Sequence, residues 1–244
     1  MQKHLLRVLG LSLLAAVGLM AFATAGAQAA EFRILGSAAL ATGATFGGSQ
    51  IGTGTLKVPT LNIEIVCQKL SVLEGKILSG PAGTALGKIL FEECVVWSIK
   101  SGTLELIEKL PCQILDISGG SGKVGHITAT ANLQVFLHIN GKTFILASKD
   151  GENRPFAIAN YTSGTGCPIP LKQEITGNTV FKLVTGDLTG GGAEAVELEV
   201  ESNEAIPALF PADVLKYGVN TAFVISKDKL FLTGAHKGCT WGAL

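Results

Sequence analysis

Five cysteines are the residues of this chain whose type and spacing point most directly to chemistry: Cys67, Cys94, Cys112, Cys167 and Cys239. No C-x-x-C pair or Cys/His spacing among them suits a structural zinc. All five lie beyond an N-terminal segment with the features of a secretory leader, so the chemistry they predict is disulfide formation. Five is odd: at most two bridges form and one thiol is left over. Local pairing predicts Cys67–Cys94 and Cys167–Cys239, with Cys112 free.

The other candidates for chemistry do not converge. His126 and His138 lie twelve positions apart on one predicted strand, roughly 40 Å when extended, too far to share a metal. His236 stands alone, and H-E-x-x-H is absent. Glu92 and Glu93 are neighbours on a strand and face opposite ways. Glu197, Glu199 and Glu201 share a face at about 7 Å spacing, within the range of paired glycosidase carboxylates. No aromatic platform accompanies them, and a solvated acidic face accounts for them better, with weak calcium binding as the alternative. Gly120-Ser121-Gly122-Lys123-Val124-Gly125 matches G-x-G-x-x-G, but a strand follows where a phosphate cradle needs a helix. No G-x-S-x-G elbow occurs. Asn160-Tyr161-Thr162 fits the glycosylation acceptor pattern. No catalytic, cofactor or metal residues are therefore assigned, and no cofactor is expected.

The leader itself has a basic start (Lys3, Arg7), an apolar run over Val8–Phe22 and an Ala27-Gln28-Ala29 cleavage site. Residues 1–29 are read as a signal peptide, with the mature chain starting at Ala30. Cleavage removes two of the 19 basic residues and leaves 19 acidic ones. The slight acidic excess argues against nucleic acid and against anionic membrane surfaces. No later stretch is long and apolar enough to span a bilayer as a helix.

The elements that must position these residues are strands. Leu61, Ile63, Ile65 and Cys67 alternate with Asn62, Glu64 and Val66, which places Cys67 on a buried face. From Ile127 to Ile139 the odd-numbered residues are apolar and the even-numbered ones mostly polar. Asn140-Gly141 then supplies a tight type I′ turn. The expected register sets Ile139 opposite Lys142, His138 opposite Thr143, Leu137 opposite Phe144 and Val135 opposite Leu146. Further strands are expected at Phe32–Leu35, Gly54–Val58, Pro155–Ala159, Thr179–Val184 and across Val196–Glu201. A closing hairpin is expected to turn at Lys227-Asp228-Lys229. One short helix is expected near 211–217, with Pro211 in its first turn and Gly218 as its stop.

Together these predict an all-β protein, an antiparallel sandwich or Greek-key fold. Ser118–Gly125 is the candidate joint between an N-terminal lobe (30–117) with three cysteines and a C-terminal lobe (126–244). One continuous domain is the alternative. The cysteine ending a strand at Cys67, the later Phe91-Glu92-Glu93-Cys94-Val95 and the third cysteine at Cys112 give a loose resemblance to exported, β-rich bacterial proteins with no assigned activity. The resemblance implies export and a β-domain, and brings no site residues.

The function expected is non-enzymatic: binding or structural association at or outside the cell surface, with a protein or surface partner. Self-association into a surface or fibre subunit is one alternative, favoured by the unpaired cysteine and the uncharged Gly36–Gly54 stretch. An extracytoplasmic hydrolase would need His126 or His138 beside a serine and a carboxylate. A carbohydrate-binding module would need an exposed aromatic cleft at Trp97 or Trp241.

Overall fold

The computed structural model describes residues 30–36, 38–100, 105–116, 123–139, 141–149, 155–162, 166–206 and 214–244. The predicted leader, Gly120–Gly122 of the glycine motif, Asn140 and Pro211–Asp213 lie outside them. Twenty strands and a few single 3-10 turns make up the described elements. In chain order the first ten are β1 (Phe32–Ile34), β2 (Ala38–Ala39), β3 (Thr45–Gln50), β4 (Gly54–Val58), β5 (Ile63–Cys67), β6 (Lys69–Ser79), β7 (Thr84–Glu92), β8 (Val95–Ile99), β9 (Leu106–Lys109) and β10 (Ile114–Asp116). The rest are β11 (Lys123–Val124), β12 (Ile127–Ile139), β13 (Lys142–Lys149), β14 (Ala157–Tyr161), β15 (Lys172–Thr176), β16 (Asn178–Leu183), β17 (Glu197–Ser202), β18 (Leu215–Tyr217), β19 (Asn220–Leu232) and β20 (Trp241–Ala243).

The fold is all-β, as expected, but it is a closed barrel rather than a sandwich. Eight antiparallel strands form a ring in the order β3, β6, β7, β12, β13, β16, β17, β19 and back to β3. Bulges in β6 and β12 supply local bends that help such a sheet to curl. So does Gly75, where a Cβ would sit 2.3 Å from the Phe46 carbonyl oxygen. Only a glycine lets β3 and β6 approach that closely.

Two 13-residue strands extend past the ring and carry a second sheet. The first half of β19 pairs with β4 and β18, and the first half of β12 pairs with β14. The second sheet runs β9-β8-β5-β4-β19-β18-β15-β14-β10-β11. A third, small sheet brings the segment after residue 30 beside the C-terminal strand, with β1 between β2 and β20. Trp241 of β20 is 1% exposed and packs on Phe32 and on the barrel residue Phe46, with ring centroids 5.9 and 6.3 Å away.

Several expectations are corrected. The proposed closing hairpin is a single strand, β19, which passes through Lys227-Asp228-Lys229 without turning. Leu215–Tyr217, expected in a helix, is strand β18, because pairing with β15 and β19 satisfies its backbone. The β12–β13 hairpin has the expected Ile139–Lys142 and His138–Thr143 pairs. A bulge at Leu137 then sets Phe136 opposite Phe144 and Val135 opposite Ile145. The inward residues Ile127, Ala129, Ala131, Leu133 and Val135 are all buried, as the alternation predicts. The segments before and after residues 118–125 are hydrogen-bonded to one another, through β7–β12, β10–β14 and β3–β19. One core cluster takes residues from both.

Candidate functional site

A groove of about 650 Å³ on the outside of the barrel is the concave surface where polar side chains gather. It spans β3, β6, β7 and β12 and is reached by Thr233, just past β19. The bulge in β6 creates it. Leu70 and Val72 point into the barrel, and strict alternation would send Glu74 and Lys76 inward after them. The bulge falls at Leu73, which is left 51% exposed, and shifts the parity, so Gly75 and Ile77 face in while Glu74 and Lys76 face out.

Two transverse rows of outward residues result. One runs Glu74–Lys88–Thr130 across β6, β7 and β12, and the other Thr45–Lys76–Leu86 across β3, β6 and β7. Thr233 Oγ1 donates to Thr45 Oγ1 at 2.8 Å. Lys88 Nζ lies 3.8 Å from Glu74 Oε1. Among the described residues Lys76 has no ion-pair partner, so the described groove carries one positive charge in excess, beside the exposed Leu73. It offers hydroxyls, ammonium groups and an apolar rim.

A second concentration of polar groups lies inside the barrel. The interior cavity, about 50 Å³, is lined by residues of all eight ring strands, Leu133, Ile145, Val200 and Leu230 among them. Its wall is apolar except at Asp228, which is 4% exposed. Ser226 Oγ donates to Asp228 Oδ2 at 2.8 Å, while Asp228 Oδ1 is buried without a partner. Burial pushes the Asp228 carboxyl up to about 6, and the Ser226 hydroxyl offsets this only in part. Gln50 stands opposite Asp228 across β3–β19, and Ser202 opposite Ser226 across β17–β19. Both amide atoms of Gln50 and the Ser202 hydroxyl are buried without partners.

Several other polar groups of the interior are paired, whereas Trp241 Nε1 is buried without a partner among the described residues. Lys57 is 4% exposed and pairs with Glu204 and, at 3.6 Å, with Glu64. Burial raises Glu64 against the pull of Lys57. The Tyr161 and Tyr217 hydroxyls share a 2.5 Å hydrogen bond, and burial raises both. Burial alone would raise Asp187. Hydrogen bonds from the hydroxyls and amides of Thr189 and Thr143 outweigh it and hold the carboxyl below its usual range, at a chain bend.

The cysteines pair as Cys67–Cys94 and Cys112–Cys167, leaving Cys239 free and partly buried. The first bridge is the expected one. The second replaces the expected Cys167–Cys239, because β10–β14 pairing carries Cys112 to the segment that follows β14. His126 lies 3.9 Å from Glu92, and among the described side chains no histidine lines the groove or the barrel cavity. The side chain of His138 lies outside the described residues, and His236 sits in a surface turn. Glu197 pairs with Lys229, and Glu201 with Lys182 and Lys227. That acidic ladder is thus a charge-paired outer face. Asn160 is 9% exposed within β14, a poor glycosylation acceptor, and buried Trp241 offers no sugar platform. Sequence reasoning found neither the groove nor Asp228. Comparison of the chain with protein-family models, curated proteins and solved structures finds no match.

Proposed function

We propose that this chain is an exported, non-enzymatic β-barrel protein that acts by binding, at or outside the cell surface, through the groove over β3, β6, β7 and β12. The observation that carries the reading is the pair of transverse rows. Five chain segments distant in sequence bring three threonines, two lysines, a glutamate and an exposed leucine to one concavity of ligand-site size. The excess lysine charge next to Leu73 suits a partner that presents an anionic group beside an apolar one. Export is supported by the Ala27-Gln28-Ala29 cleavage pattern and by the two disulfides. The outward Glu197, Glu199, Glu201, Lys227 and Lys229 and the apolar lumen are the reverse of a membrane-spanning barrel.

The test is an NMR titration of the mature chain with acetate, hexanoate and inorganic phosphate. Hexanoate should shift the amides around Thr45, Leu73, Lys76 and Thr130 in a saturable way, and Lys76→Glu should abolish the shift. Shifts scattered over the surface, or unchanged binding by Lys76→Glu, would sink the groove as the site. Self-association is the second reading. Its support is edge strand β9, whose Leu106 and Ile107 are 43% and 62% exposed. The bulge in that same strand works against edge pairing.

A further inference from the structure

The Asp228 layer inside the barrel is built unlike the rest of the interior. Directly opposite residues on paired strands share a face, so Asp228, Gln50, Ser226 and Ser202 all point to the lumen from three adjacent strands. Buried there without partners are Asp228 Oδ1, Ser202 Oγ and both amide atoms of Gln50, so three of the four atoms can accept a hydrogen bond. The flanking Lys227 and Lys229 face outward, engaged by Glu201 and Glu197, so neither can neutralise the carboxylate from inside. An isolated buried carboxylate is costly, and a cationic partner relieves that cost.

We propose that the barrel lumen binds a short primary alkylammonium ion, its head on the Asp228 layer and its tail in the cavity. An ammonium group has three donors and no acceptor, and Asp228 Oδ1, Gln50 Oε1 and Ser202 Oγ are buried acceptors without partners on these three adjacent strands. The tail would lie among Leu133, Ile145, Val200 and Leu230, with Phe46 and Phe181 also lining the space. The cavity of about 50 Å³ limits the tail. It is about a third of the roughly 150 Å³ that holds a benzene ring, so one or two carbons fit and longer chains do not.

The experiment is a methyl-NMR titration of the mature chain with methylammonium and ethylammonium chloride, at constant ionic strength set with sodium chloride. Saturable shifts are expected at the methyls of Leu133, Ile145, Val200 and Leu230, while the outward Leu73 and Leu78 stay still. Asp228→Asn should weaken binding by about 10- to 100-fold, as expected for losing a charge-assisted hydrogen bond. Should Asp228→Asn fail to fold, which the same spectrum reads, Ser202→Ala carries the test with an expected weakening of several-fold. Ethanol binding as tightly as ethylammonium, sodium chloride alone giving the same shifts, absence of saturable lumen shifts, or undiminished binding by the folded variants would each overturn the proposal.

Discussion

Replacing Asp228 by asparagine should remove a pH dependence that the barrel carries in its interior. The folded protein holds this carboxyl at about 6, against an ordinary value of 3.8. A raised folded value means that the native state binds the proton more tightly than the unfolded chain does. The resulting stability is complete below the unfolded value and is lost as pH rises through about 6. Two pH units of displacement correspond to about 3 kcal/mol, an upper figure because water entry and relaxation soften it. Asparagine has nearly the same shape and no charge to bury. Relative to the wild type, Asp228→Asn should therefore gain up to about 3 kcal/mol between pH 4 and pH 7.5. The difference curve matters, because the exposed Lys–Glu pairs titrate alike in both proteins and cancel. Urea unfolding at a series of pH values, with the slope checked for constancy, measures it. Ser226→Ala, which removes the one hydrogen bond to the carboxylate, should move the wild-type step to higher pH. Parallel curves for Asp228→Asn and the wild type would refute the argument, since they would mean that the carboxyl is solvated or paired in the folded state.

Four further outcomes follow from the packing. Trp241→Ala should cost about 3–5 kcal/mol in urea unfolding, because the buried indole joins the terminal clasp to Phe32 and Phe46. Non-reducing peptide mapping should recover Cys67–Cys94 and Cys112–Cys167, with Cys239 the one thiol alkylated after denaturation. The double variant Cys112→Ala, Cys167→Ala should lose roughly 4 kcal/mol by the chain-entropy account of its 55-residue loop. Gly141 has φ +69°, so Gly141→Val should cost on the order of 1–3 kcal/mol by strain alone, and an unchanged unfolding midpoint would remove the turn argument.

What could be read from the chain was whatever its own alternation encodes. The inward face of β12 from Ile127 to Val135 is buried residue for residue, and β4 begins and ends at Gly54 and Val58, where the pattern says. The failures share one cause, that partners distant in sequence decide. Lys227-Asp228-Lys229 is polar enough to be taken for a turn. In the barrel, Ser226, Asp228 and Leu230 face in while Lys227 and Lys229 reach the glutamates of β17, so the alternation runs on through a charge. Nothing local marks Asp228 as inward, because its neighbours on that face are Gln50 and Val200. The segment near 211–217 has helical turn signals, yet β15 and β19 outbid them with strand pairing for Leu215–Tyr217.

The groove was hidden by a single residue. With strict alternation from Leu70, Glu74 would face the lumen and Gly75 the solvent, and no polar row would exist on the outside. The bulge at Leu73 reverses both. Next to it, Phe46 of the neighbouring strand occupies the space in front of Gly75, where any Cβ would collide with the Phe46 carbonyl. The close approach that curls the sheet into a barrel is therefore bound up with the shift that turns Glu74 and Lys76 outward. Closure and the candidate binding surface are two consequences of the same contact between β3 and β6. A larger residue at Gly75 should disturb both together, which separates this account from one in which the groove is an accident of surface loops.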